Sequence, residues 1–426
     1  MKVMLAYGRT GLEVELPDDR TDVVEPVEAP ELPAGAASIV AALRAPLGTP
    51  PLRALVGPAD SVVVVINDGT RPMRSDLVLP PLLAELAAAG VPREQVTILV
   101  ATGTHRPNTA AELDEMLGTS IARGYRVVNH DARDHRTLAR AGMTARGVPI
   151  LLNRRYLEAS VTILTGFVEP HFFAGYSGGP KLVMPGLAGL ETVLHNHGPR
   201  LIAHPHASFG VLEGNPIHEE QRAIALATHP TFSVNVTLDR RRRLTGVWAG
   251  EMMVVHAAAV AFVQATALRP IARAYDVVLT TNSGYPLDQN LYQGVKGMAA
   301  AARAVRDNGD IVLAAECADG LPAHGVYADL LGAATGPDDV LARVEGAASP
   351  IGDGWQAQIQ ATIQRRAAVY LYSSLPDDVV RRALLTPCRD VSGQVRASLA
   401  AHGPDARLLV LPQGPQTVVY RDETMG

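Results

Sequence analysis

Three short segments of this 426-residue chain gather side chains able to bind anions and move protons. DGTRP (Asp68–Pro72) sets a carboxylate, a hydroxyl on Thr70 and the Arg71 guanidinium close together. TGTHRP (Thr102–Pro107) presents His105, and GFVEPHFFAGYSGGPK (Gly166–Lys181) presents Glu169, His171 and Lys181. A guanidinium can hold a carboxylate by two parallel hydrogen bonds, so Arg71 suits an organic acid. An imidazole with an ordinary pKa of about 6.5 gives or takes a proton near neutrality, so His105 and His171 suit acid/base work. In the third segment Ser177, Gly178 and Gly179 precede Lys181. Glycines there would let backbone N–H groups approach an anion, and the lysine adds charge, so a bound phosphate is expected. The GxxxxGK[ST] spacing of a Walker loop is absent.

Each segment also fits a plainer role. DGTRP fits a turn in which Asp68 caps a helix and Pro72 lies in its first turn. TGTHRP fits a capped strand-to-helix loop with an exposed His105. Further along, PLDQNLYQGVKG (Pro286–Gly297) sets Gln293 and Lys296 three apart, on one face of a helix. Together they could hold a carboxylate, or the helix could simply be solvated. His195 and His197 are two apart, so a helix can aim at most one of them into a site. His204 and His206 fit a surface loop or a metal pair, and His130 with Asp131 is expected to form a mutual contact or lie exposed. The run Arg240–Arg243 reads as a solvated face.

The three clusters share a placement that brings them together. Ser61–Asn67 (SVVVVIN), Gln95–Ala101 (QVTILVA) and Val161–Gly166 (VTILTG) are apolar, β-branched runs of the kind buried on both faces of a parallel sheet. Helices are expected at 76–89, 109–117 and 189–196, with a short strand at Arg126–Asn129. Each polar cluster directly follows a strand, and open α/β sheets bind ligands beyond the carboxyl ends of their strands. Arg71, His105 and His171 should therefore converge on one sheet edge.

Elsewhere, Val3–Tyr7 and Leu12–Leu16 read as a hairpin, and residues 18–35, rich in Pro, Asp and Glu, as an exposed connection. A second hairpin is expected at Ser233–Leu238 and Arg243–Trp248, followed by a helix over Met252–Leu268. The alternation restarts at Pro270, with strands at Asp276–Thr281, Asp310–Ala315 and Leu408–Leu411 and a helix at 290–304. The expected architecture is α/β in two domains, 1–270 and 271–426, with parallel or mixed sheets flanked by helices and the site in the cleft between them. The last strand could return to the first domain.

Composition narrows the classes further. Hydrophobic residues make up 47% and charged residues 19%, a globular balance, and the formal net charge of −5 disfavours phosphate-driven nucleic-acid binding. Cys317 and Cys388 are too few for a disulfide framework and read as free thiols. No apolar run reaches the length of a membrane span, and the N-terminus lacks a signal-peptide core, so a soluble cytoplasmic protein is expected.

Taken in order, LAYGRTGLEVELPD, DGTRP, TGTHRP, EPHFFAGYSGGPK, ETVLHNH and PLDQNLYQGVKG resemble the landmarks of the lactate racemase family over nearly the whole chain. The resemblance implies a nickel-pincer nucleotide: a pyridinium mononucleotide whose two sulfurs and one ring carbon hold nickel, with a histidine as fourth ligand. Here that histidine is His197, in keeping with the square-planar preference of nickel(II). Lys181 matches a lysine joined covalently to the cofactor in some members. Ser177, Gly178 and Gly179 would lie beside the cofactor, with Asp68 and Thr70 in the same motif as Arg71. His105 and His171 match the paired catalytic histidines, and Arg71, Gln293 and Lys296 the substrate-contacting positions. The implied partners are a small 2-hydroxyacid and the enzymes that make the cofactor.

Such chemistry suits these residues. The C2–H bond of a 2-hydroxyacid is not acidic, so inversion is easier by removing hydride, leaving a flat 2-ketoacid, than by removing a proton beside a carboxylate. One histidine takes the hydroxyl proton and the other supplies a proton after hydride returns to the opposite face. Phe172, Phe173, Tyr176 and Tyr292 are candidate walls for the variable group. No second arginine stands out as a clamp for a diacid. Three rivals were weighed: a zinc hydrolase using Glu169, a nicotinamide dehydrogenase, and a cofactor-binding homologue without catalysis. The first lacks HExxH, the second lacks GxGxxG after the first parallel strand, and the third need not keep both histidines.

Overall fold

The β-branched runs become the centres of two six-stranded sheets in the computed structural model, which describes residues 1–33, 35–322 and 326–422. The first sheet runs, edge to edge, Leu244–Gly250, Phe232–Leu238, Val161–Phe167, Val62–Asn67, Val96–Ala101 and Arg126–Asn129. All its pairings are parallel except the terminal hairpin of Phe232–Leu238 with Leu244–Gly250. Every residue of Val161–Phe167 and all of Val62–Ile66 are buried, as strands covered on both faces require. The second sheet is wholly parallel: Thr386–Cys388, Ala367–Tyr372, Val305–Ala314, Tyr275–Thr281, Leu408–Leu411 and Thr21–Val23. Helices flank both sheets, so the expected α/β class and parallel or mixed sheets hold. No helix among the described residues is long and apolar enough to cross a membrane. Cys317 and Cys388 are buried free thiols.

The N-terminal segment departs from the sequence reading. The hairpin forms as Lys2–Leu5 with Leu12–Glu15. Its inward residues Val3, Leu5, Val14 and Leu16, however, pack with Val277, Leu279, Val312 and Val410 of the second sheet. Segment 18–35 is not a bare connection, because Thr21–Val23 pairs with Leu408–Val410 as an edge strand. The chain thus crosses between sheets twice, after Val23 and near residue 270. A single division at 270 marks only the second crossing and leaves residues 1–23 apart from the sheet they join. The strand Leu408–Leu411 stays in the second sheet, while Val418–Arg421 pairs in parallel with Leu268–Ile271 at that crossing.

The helix Leu291–Ala301 carries Gln293 and Lys296 and begins at Asn290, whose side chain accepts from the Gln293 N–H. Its seat is set by Gly297. A Cβ there would lie 2.3 Å from the Thr281 carbonyl oxygen, a backbone atom that cannot swing away. Glycine therefore permits the close approach of this helix to the Tyr275–Thr281 strand. In an exposed helix Gly→Ala would stabilise by about 1 kcal/mol. Here overpacking reverses the sign: Gly297→Ala should destabilise by about 1–3 kcal/mol in urea unfolding. An unchanged or raised midpoint would contradict this packing.

Candidate functional site

Strand order brings the three polar clusters together. Val62–Asn67, which delivers Asp68 and Arg71, lies between Val96–Ala101, which delivers His105, and Val161–Phe167, which delivers His171. The loops at their carboxyl ends line a cavity of about 790 Å³. Its wall is completed by Lys181, His197 and Gly178 from the first half, and by Tyr292, Gln293, Lys296, Trp355 and Gln356 from the second. Of the sequence candidates, Asp68, Arg71, His105, His171, Ser177, Gly178, Lys181, His197, Gln293 and Lys296 all line this space. Thr70 faces a smaller adjoining space, and Gly179 does not line the cavity.

Asp68 anchors one end. Its Oδ2 lies 2.8 Å from His105 Nδ1, and its Oδ1 accepts from the Thr70 hydroxyl at 2.8 Å. Arg71 in turn donates to the Thr70 hydroxyl at 2.9 Å. Burial alone would raise the Asp68 carboxyl, but His105, Arg71 and the Thr70 hydroxyl outweigh it, and the carboxyl stays below its ordinary range. An ionised Asp68 makes His105 Nδ1 the donor, which leaves the lone pair on Nε2 of the neutral ring. The capping reading of this aspartate does not hold, since its carboxylate is turned to His105 and Thr70.

His171 carries the opposite tautomer. Its Nδ1 accepts from the Ala174 backbone N–H at 3.2 Å, so the neutral ring bears its proton on Nε2. That Nε2 stands 3.5 Å from Lys181 Nζ. Burial, with Lys181, Lys296 and Arg71 nearby, holds the His171 pKa well below the ordinary value. Burial, with Arg71 and Lys296, does the same to Lys181. Lys296 is lowered to about 7, first by burial and then by Arg71. Among the described residues Glu169 forms the ion pair with Arg71, at 3.6 Å. The site is rich in cationic groups and short of counter-charge, which suits an anion.

The Ser177–Gly179 loop is built differently from the sequence expectation. The Ser177 hydroxyl donates to the Phe167 carbonyl at 2.8 Å and accepts from the Glu169 N–H at 2.9 Å. The Gly179 N–H donates to Asn235 Oδ1 at 3.2 Å. Both groups are engaged within the protein. The glycines answer to crowding from behind: a Cβ on Gly179 would meet His256 at 2.6 Å, and one on Gly178 would meet Val168 at the same distance. His256 in turn bonds the Ser177 carbonyl at 3.0 Å. Neither Asn235 nor His256 figured in the sequence reading, although a polar residue inside the apolar strand Phe232–Leu238 was a usable signal.

His197 ends the helix Leu190–Asn196 and is buried, whereas His195 on the same turn is exposed. The indole of Trp355 meets the His197 ring edge-on at 5.1 Å between centroids, and Phe173 does so at 5.0 Å. Trp355 Nε1 donates to the Tyr292 hydroxyl at 2.9 Å, tying two walls together. Sequence reasoning missed Trp355 and Gln356, since no spacing rule links them to a histidine so distant in the chain. Phe172, Phe173 and Tyr292 are wall residues as expected, but Tyr176 is buried in a separate cluster with Ala259 and Val263.

The remaining histidines play structural parts. His130 is not paired with Asp131: it is buried, bonded to the Ala188 carbonyl and to Asn153. His206 bonds the Gly214 carbonyl, and with His204 it forms an exposed loop.

Three buried polar atoms lining the cavity lack partners: His197 Nδ1, Gln293 Oε1 and Lys296 Nζ. Leaving such groups unsatisfied is costly, and their gathering in one cavity fits a polar guest. Among the described residues no three His, Cys, Asp or Glu side chains gather to hold a metal. A lone histidine suffices only for a metal that brings its other donors with it. Glu169, the ligand expected by a zinc-hydrolase reading, is instead beside Arg71.

Comparison with known proteins agrees with this arrangement. The family model for the lactate racemase N-terminal domain matches residues 7–210, and that for the lactate racemase C-terminal domain matches residues 271–419. The chain is 33% identical to lactate racemase of Thermoanaerobacterium thermosaccharolyticum over 98% of its own length and 99% of that protein. It is 34% identical to lactate racemase of Lactiplantibacillus plantarum, covering 88% of each. The solved lactate racemase apoprotein from T. thermosaccharolyticum superposes with a TM-score of 0.90 at 32% identity, covering 98% of this chain and 100% of that one. A Thermotoga maritima protein shares the fold, with a TM-score of 0.74 at 19% identity over 91% of this chain and 98% of its own. The chain therefore belongs to the lactate racemase family and is an isomerase.

Proposed function

We propose that this enzyme inverts C2 of a short monocarboxylic 2-hydroxyacid in the cleft between its two halves, by way of a 2-ketoacid. The observation that carries this reading is the pair of histidines in opposite tautomers on either side of the Arg71 loop. Arg71 receives the substrate carboxylate, and the Gln293 side-chain N–H and Lys296 Nζ donate to it from the second half. An arriving carboxylate also restores the charge that burial takes from Lys296. His105 accepts the hydroxyl proton at its bare Nε2, held in that tautomer by Asp68. For the return, His171 is first protonated from solvent; as imidazolium it gives its Nε2 proton to the oxygen of the re-formed alcohol and relaxes to a neutral ring, while His105 releases its captured proton to solvent. The flat intermediate exposes both faces between them, and the walls of Phe172, Phe173 and Tyr292 keep water from it.

We infer that a nickel-pincer nucleotide occupies the His197 side of the cavity, beside the substrate-binding groups. His197 would be its protein ligand to nickel, and Lys181, Gly178 and Asp68 would line its bed. When bound, that group supplies hydride acceptance and return, which no side chain of this chain can provide. Burial lowers the Lys181 pKa and so eases loss of the proton that covalent attachment requires. With Ser177 and Gly179 engaged in the protein, they support the bed rather than donate to an anion.

Two outcomes test the reading. Single-enantiomer lactate deuterated at C2 should give product of the opposite hand with the label retained, measured by chiral chromatography with mass detection. Loss of deuterium to solvent at the rate of inversion would mean proton abstraction and would overturn the hydride route. His105→Ala and His171→Ala should each lower kcat by at least about 10²-fold while leaving nickel bound. Near-normal turnover in either variant would remove that histidine from the chemistry.

A further inference from the structure

The cleft continues past Arg71. A second cavity of about 540 Å³ shares Asp68 and Arg71 with the first and is also lined by Arg242, Tyr285 and Gln289. A third, of about 990 Å³, shares Arg242 and Tyr285 with the second and adds Arg9, Arg240 and Arg241. The three spaces adjoin in series from the outer groove to Arg71, each sharing lining residues with the next, and Arg242 borders both of the outer two.

Charge pairing along this path is uneven. Of the carboxylates lining the middle cavity, Asp68 is bonded to His105, Asp76 to Arg74 at 2.8 Å, Glu112 to Arg106 at 2.6 Å, and Glu115 pairs with Arg9 at 3.5 Å. Arg71 has Glu169. Among the described residues Arg242 has no ion-pair partner, and its Nε is buried without a hydrogen bond. The outer groove carries four arginines against one aspartate, Asp239, on a chain whose formal net charge is −5.

The backbone adds an independent sign. Arg242 sits in the turn between Phe232–Leu238 and Leu244–Gly250 at φ 60°, the left-handed region where glycine or asparagine is the easy choice. The turn is held by Asp239, which accepts from the N–H groups of Arg241 and Arg243, so nothing in its own bonding calls for a guanidinium at 242. Arg74 reaches Arg242 through the backbone carbonyl alone, a contact any residue would supply. A strained position occupied by an unpaired cation at a cavity junction points to a ligand.

Resting on the 2-hydroxyacid reading above, we propose that Arg242 is an outer carboxylate-binding station, which captures the substrate anion at the groove and passes it to Arg71. The basic mouth focuses anions inward. Arg242 touches substrate only on the way in and serves capture, not the chemical step.

Arg242→Gly tests this cleanly, because glycine suits the turn and the variant should melt at or above the wild-type temperature. In nickel-loaded enzyme with lactate, kcat should stay within about twofold while kcat/KM falls at least about fivefold. The decline of kcat/KM with rising salt should be shallower than in wild type. Equal kcat/KM and equal salt dependence would overturn the station. A fall in nickel per chain would also overturn it, by assigning Arg242 to the phosphate of the nucleotide. If wild type inverts no 2-hydroxyacid, the functional reading fails separately. The rate at which lactate associates with the cofactor-free chain, read from NMR exchange broadening, then still decides the station: slower association in Arg242→Gly supports it and an equal rate refutes it.

Discussion

The order of three adjacent parallel strands is the constraint on which the site depends. Because Val62–Asn67 is hydrogen-bonded to Val96–Ala101 on one side and Val161–Phe167 on the other, Arg71 emerges between His105 and His171. No flexible hinge or long loop is needed to set that spacing; the inter-strand hydrogen bonds do so. A sheet buried on both faces resists slippage, since one residue of shift would turn every side chain over. His105 and His171 are thus held on two sides of Arg71 by the central strands of a sheet buried on both faces.

On that frame the electrostatics are deliberately unbalanced. Arg71, Lys181 and Lys296 are brought to one cavity with Asp68 and Glu169 as near counter-charges, and Asp68 is given over to His105. Burial first, and these neighbouring cations second, lower His171 and Lys181 and bring Lys296 to about 7. Unpaired buried cations are tolerated where a guest anion completes them. Arg242 adds an unpaired cation further out, beside a space whose carboxylates already have cationic partners.

Much of this was legible in the sequence because polar clusters directly follow β-branched runs, and the sheet rule then places them together. What was not legible has physical reasons. Strand Thr21–Val23 is three residues long and flanked by Pro, Asp and Glu, too short for any period to register. Its pairing with Leu408–Val410 is settled by tertiary packing. Gly179 was read as making room for an anion, whereas the crowding comes from His256 on the protein side; a sequence shows that a Cβ is unwelcome but not which neighbour excludes it. Trp355 reaches His197 only because the two halves meet. Arg242 looked like part of a solvated run until its turn was seen to border the cleft.

The central claim is that His197, orphaned at Nδ1, awaits a nickel group that brings its own donors. It is tested most directly by nickel per chain, measured by elemental mass spectrometry after co-expression with the cofactor-making enzymes, for wild type and His197→Ala side by side. Near-stoichiometric nickel in wild type, lost in the variant, is the predicted result. Nickel-free wild type, from cells in which a known lactate racemase is loaded, would contradict the claim.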